Sequence, residues 1–228
     1  MISIILYFYV YQYDQYYNSL EEKSIAIEIA EYNTIVTMLG MLCATAQVFT
    51  GYYATYVKKR MFLVRGNDIL FRSHRAFGSF ATVFYFLGLF AGLTGFAGTV
   101  TENIPPLELE DPLYIIHTFG SFVVLVIIVA KTYLSYFSKK FLYGRVQGRL
   151  GVATFLAWAF TWITAAIAYY ERTLPTNPQH TPPSFLLPYE LMGLMLVIPF
   201  IIGGSIGSLV VIEAKKIEDA KTVRKVKS

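Results

Sequence analysis

The stretch MGLMLVIPFIIGGSIGSLVVI, residues 192–212, carries no charged side chain and ends against Glu213-Ala214-Lys215-Lys216. As an α-helix rising 1.5 Å per residue it spans roughly 30 Å, the thickness of a bilayer's hydrocarbon core. It belongs to the last of five such runs: Tyr32 to Val57, Ala76 to Val100, Leu113 to Phe137, Leu150 to Tyr170 and Tyr189 to Ile212. None alternates apolar and polar residues with period two, so barrel strands are not expected. The reading is an all-α, polytopic membrane bundle of five transmembrane helices. Pro199, inside the last run, is expected to kink its helix.

Charge between the runs sorts by sign. Of 19 Lys and Arg, 17 fall in 58–75, 131–149 and 215–227; of 15 Asp and Glu, 11 fall in 14–31, 102–111 and 171–190. The two kinds of segment alternate, as five crossings require. Basic flanks stay in the cytoplasm, which predicts an outside N-terminus, a cytoplasmic C-terminus and a multi-pass protein of the cytoplasmic membrane. Residues 1–31 are expected on the outer surface, 32–212 form the bundle, and 213–228 form a charged cytoplasmic tail. Lys131, near the end of the third run, is expected to snorkel to the inner interface.

Composition narrows the function. Only 15% of the 228 residues are charged, against about 25% in soluble domains. The net charge of +4 is explained by a basic rim against anionic lipids, and nucleic acid is not an expected partner. The single cysteine, Cys43, excludes an internal disulfide, covalent haem attachment and a thiolate metal site. No Gly-rich phosphate loop, zinc-binding His-Glu-x-x-His or nucleophile–base pair is present. No carboxylate lies near the centre of a run, which argues against a proton pump or cation carrier.

Two of the three histidines open similar strings, His74-Arg75-Ala76-Phe77-Gly78-Ser79-Phe80 and His117-Thr118-Phe119-Gly120-Ser121-Phe122. In each, a glycine follows one helical turn on and shares the histidine's face. An imidazole at a helix mouth can supply an axial nitrogen to haem iron, and a glycine beside it lets a flat macrocycle approach the backbone. With them goes the segment 131–170, in which Gly148-Arg149-Leu150-Gly151 reads as a basic turn leading into a run with Trp158 and Trp162.

Over residues 72–170 these strings resemble small haem b membrane proteins of the cytochrome b561-like kind. The resemblance implies haem b held without covalent bonds between helices, and transmembrane or quinone-linked electron transfer. The chain departs from that pattern in one respect. His74 falls at the inner mouth of the second run and His117 near the outer mouth of the third. About 20 Å of depth separates them, whereas two axial nitrogens on one iron lie within roughly 4 Å. They should not share an iron. His117 is then the expected axial ligand, with Gly120 admitting the ring and His180 or Met192 opposite. His74, Gly78 and Arg75 would serve an inner site, Arg75 binding a propionate or another anion.

The bland readings stand beside these. His74 fits equally as part of a basic lipid-anchoring cluster, His180 as a solvated loop residue, and the methionines as gap-fillers. The two tryptophans stack in the bundle, and Glu28 and Glu31 favour a helix N-terminus. Two functions lead, ahead of a transporter or channel and of a membrane enzyme of another kind: a b-type-cytochrome-like subunit of a respiratory or quinone-linked complex, or a cofactor-free accessory subunit of a larger membrane assembly. Either one has other membrane subunits and lipids as partners.

Overall fold

The computed structural model describes residues 22–57, 68–101, 112–137, 140–173 and 183–227. The N-terminal stretch through Glu21 and His180 lie outside the described residues. Five long helices carry the fold: α1 (Glu22–Tyr52, continued by a π turn Tyr53–Val57), α2 (Ile69–Thr101), α3 (Pro112–Phe137), α4 (Lys140–Ala168, with a π turn Tyr169–Thr173) and α5 (Met192–Lys227). Each contains a span long and apolar enough to cross a membrane. Among the described residues there is no strand. The chain is therefore an all-helical, multi-pass membrane protein.

Several helices begin earlier than the apolar runs. Asp68 caps α2: its Oδ1 accepts from the backbone N–H of Phe71 at 2.9 Å, and its carbonyl from that of Arg72 at 3.0 Å. This supplies partners to N–H groups that a helix start leaves bare. Arg72, His74 and Arg75 are thus helical. Gly148 to Gly151 is helical too, within α4 and not a turn. α1 starts at Glu22, so Glu31 sits too far along the helix for its dipole to matter. Glu31 is instead buried in the bundle, accepting a hydrogen bond from the Tyr169 hydroxyl at 2.8 Å.

α1 is the centre of the bundle. It packs against α2, α5 and α4, whereas α3 packs chiefly on α4 and hardly touches α1 or α2. Of its span, 56% is buried, against 11% for α3; the rest of α3 presents Phe119, Phe122, Val123, Val126, Val129 and Tyr133 outward. The core gathers Met41, Ala44, Tyr85, Val124, Ile128, Trp158, Trp162 and Met195. Both tryptophans lie in it, and the Trp162 indole N–H donates to the carbonyl of Leu196 at 3.0 Å. α5 continues unbroken through Pro199.

In hydrocarbon every polar group needs an internal partner. The hydroxyls of Thr34, Thr45, Thr154 and Thr161 donate to the carbonyl four residues back, the local bond open to Thr on a helix. Among the described residues no buried side-chain nitrogen or oxygen lacks a partner.

Close approach of α1 and α5 depends on Gly203. A methyl group there would collide with the carbonyl oxygen of Leu42, and backbone cannot yield as a side chain does. Gly203→Val is expected to cost about 1–3 kcal/mol through overpacking. Gly193→Ala, which meets nothing, should leave stability unchanged. Reversible unfolding in mixed micelles measures both.

Candidate functional site: two cavities at the ends of α3

Sequence and packing place the polar side chains of α3 in two groups. One group lies toward the end of the bundle bearing Glu28, Glu31, Glu171 and Glu190, the acidic end. The other lies toward the end bearing Arg72, Arg75, Arg149 and Lys215, the basic end. Between them Val124 and Ile128 are buried in the core. The Tyr85 hydroxyl donates to the carbonyl of Ser121 at 2.8 Å and fixes the register of α2 against α3. The Tyr85 ring meets Trp158 edge to face, centroids 5.8 Å apart.

That register sets depth. His74 lies eleven residues from Tyr85 toward the basic end, and His117 four residues from Ser121 toward the acidic end. At 1.5 Å per residue the two imidazoles are about 22 Å apart along the bundle. Each belongs to its own cavity.

The cavity at the acidic end has a volume of about 80 Å³ and lies between α2 and α3, with Asn33 and Thr161 contributed by α1 and α4. His117 lines it with Gly88, Gly92 and Ser121. His117 Nδ1 lies 2.8 Å from Thr164 Oγ1, and the Thr164 hydroxyl donates to the carbonyl of Phe160 at 2.8 Å. When the hydroxyl proton goes to Phe160, Nδ1–H is the donor to Thr164 and Nε2 keeps its lone pair. This is the orientation that a second partner imposes on a metal-binding imidazole.

The cavity at the basic end holds about 160 Å³ and lies among α1, α2, α3 and α4. His74 and Lys131 line it with Gln47, Tyr52, Thr55 and Tyr56. His74 Nδ1 is 3.0 Å from the carbonyl of Gln47 and 3.2 Å from Thr50 Oγ1. A carbonyl can only accept, so His74 too is the Nδ1–H tautomer. Lys131 does not snorkel to the interface. It turns into the bundle, and its ammonium donates to Gln47 Oε1 at 3.2 Å.

The glycines fall differently from the sequence expectation. A methyl at Gly120 would collide with the Phe160 ring, and one at Gly78 with the Gln47 amide. Both positions admit protein side chains. The glycine under an imidazole is Gly51 of α1, where a methyl would come 2.8 Å from His74 Cε1. At the other cavity Gly92 faces open space. Met192 is half-buried beside the main core and lines neither cavity. Arg75 is exposed, its guanidinium 5.4 Å from the centre of the Phe71 ring.

For a haem this donor set offers one axial nitrogen, that of His117, beside a cavity of about 80 Å³. Gly92 faces open space there, whereas Gly88 is packed against Asn33, Val36 and Thr37 of α1. Among the described residues neither cavity is lined by a second histidine or a methionine, and no three His, Cys, Asp or Glu gather into a metal site. Sequence reasoning passed over Gln47, Tyr85 and the inward turn of Lys131. The available signal was an amide and an ammonium inside apolar runs, where polar groups are costly and need partners. No family model, curated protein or solved structure matches this chain.

The assigned tautomers are directly measurable. ¹⁵N spectra of histidine-labelled protein should show the neutral rings of His74 and His117 protonated at Nδ1. Thr164→Val should release this preference at His117 and leave His74 as it was.

Proposed function

We propose that this chain is an integral-membrane electron-transfer subunit of the b-type-cytochrome-like class, working within a respiratory or quinone-linked complex. The observation that carries the reading is the His117 imidazole, whose Nδ1 lies 2.8 Å from Thr164 Oγ1 while the residue lines a cleft between α2 and α3. His117 would hold haem b through Nε2, with Gly92, which faces open space, giving room at its edge. When bound, haem b supplies a one-electron couple within the membrane. Thr164 would fix the imidazole plane and raise the basicity of Nε2. Phe122, which lines the cleft and is exposed, would exclude water from its lipid side. The chain would draw its redox partner from other subunits.

In reduced-minus-oxidised absorption of the purified protein, a haem b α-band is the expected result. His117→Ala abolishes or shifts it, and His74→Ala leaves it in place. A colourless, iron-free preparation from cells with haem available would contradict the proposal. The filled positions at Gly120 and Gly78, and cavities each offering one histidine, favour a second reading: a cofactor-free accessory subunit contacting lipids and neighbouring subunits. That reading predicts the colourless result.

The charge sorting supports an orientation with the basic end in the cytoplasm and the acidic end outside, in the cytoplasmic membrane. In a Cys43→Ser background, a cysteine replacing exposed Glu190 should react with an impermeant thiol reagent applied to intact cells. One replacing Lys216 should react only after permeabilisation. The reverse pattern would overturn the orientation.

A further inference from the structure

Lys131 is the feature of the basic-end cavity that the electron-transfer reading does not use. A lysine in a transmembrane helix is costly and is expected to pair with a counter-charge or a carbonyl. Among the described residues, Lys131 pairs only with the neutral amide oxygen of Gln47. An ammonium has three donors, so two remain. Among the described residues no Asp or Glu lines the cavity. Its walls are otherwise apolar or neutral: Val48, Leu150, Val152 and Phe155, with the hydroxyl-bearing Tyr52, Thr55 and Tyr56.

The space is adequate. About 160 Å³ exceeds the share of several waters at about 30 Å³ each and accepts a carboxylate or phosphate group. The surroundings favour negative charge. Arg72, Arg75 and Arg149 are exposed at this end, and like charges around a low-dielectric cleft concentrate counter-ions in it.

We propose that this cavity is an oxyanion site, in which Lys131, held by Gln47, pairs with the phosphate of an anionic lipid or the oxyanion of a small acid entering at the basic end. The hydroxyls of Thr55, Tyr52 and Tyr56 supply further donors. The site lies about 22 Å from His117 by the register above and does not depend on haem.

The test uses the full chain in an uncharged detergent, as wild type, Lys131→Met and Lys131→Arg. Native mass spectrometry and thermal unfolding are recorded with added phosphatidylglycerol, phosphatidylcholine, inorganic phosphate or acetate. Wild type should retain one phosphatidylglycerol per chain, or gain thermal stability in phosphate or acetate, and ignore phosphatidylcholine. Lys131→Met should bind the anion at least tenfold more weakly, and Lys131→Arg should keep most of the binding. A response to the lipid alone assigns a lipid phosphate; a response to phosphate or acetate assigns a soluble acid. Equal anion responses in wild type and Lys131→Met, or none in wild type, would overturn the proposal.

Discussion

One hydrogen bond, from the Tyr85 hydroxyl to the carbonyl of Ser121, holds together what the helices do not. α2 and α3 follow one another in sequence yet hardly touch. In water such a gap would be closed by burial of apolar surface. In lipid that force is absent, since hydrocarbon tails are as apolar as Leu, and helices associate through close packing and polar ties. α3 therefore leans on α4 and is fastened to the rest by two polar ties. Tyr85 makes one, and Lys131, reaching Gln47 on α1, makes the other. Val124 and Ile128 seal the middle between them. The open space left beyond each tie is a cavity.

Both cavities inherit their chemistry from this standoff. Each receives one imidazole whose Nδ1–H is already committed to the protein, to Thr164 at one end and to Gln47 at the other. Each imidazole is thus a fixed acceptor and not a rotating surface group. The ends differ in charge. The lining of the acidic-end cavity holds hydroxyls and an amide and no cation besides a protonatable histidine. The other adds an ammonium with no anion beside it among the described residues. One arrangement suits a neutral nitrogen ligand to a metal; the other suits an oxyanion.

The crossing helices were legible because a bilayer demands long apolar runs, and five stood out. Their starts were less so. Asp68 and the arginines of α2 read as a basic loop, although the carboxylate makes a helix cap and the charged side chains point outward from helical backbone. The separation of His74 and His117 along the bundle was legible, since helical rise and antiparallel order suffice for that. Their neighbours were not legible. Which side chain fills the space over Gly120 depends on how α4 packs on α3, and Phe160 fills it. The inward turn of Lys131 depends on Gln47, 84 residues away in the chain. Such pairings are decided by tertiary packing, and periodicity within one helix carries no record of them.

The central claim is the antiparallel register that keeps the two imidazoles at opposite ends. Nitroxide labels on exposed Arg72 and Ile116, in a Cys43→Ser background, read it by pulsed electron resonance. From the Tyr85–Ser121 tie, the labelled positions lie about 27 Å apart along the bundle, and a distribution centred at or beyond that distance is the predicted result. A dominant distance below about 15 Å, less than the rise of a dozen helical residues, would contradict it.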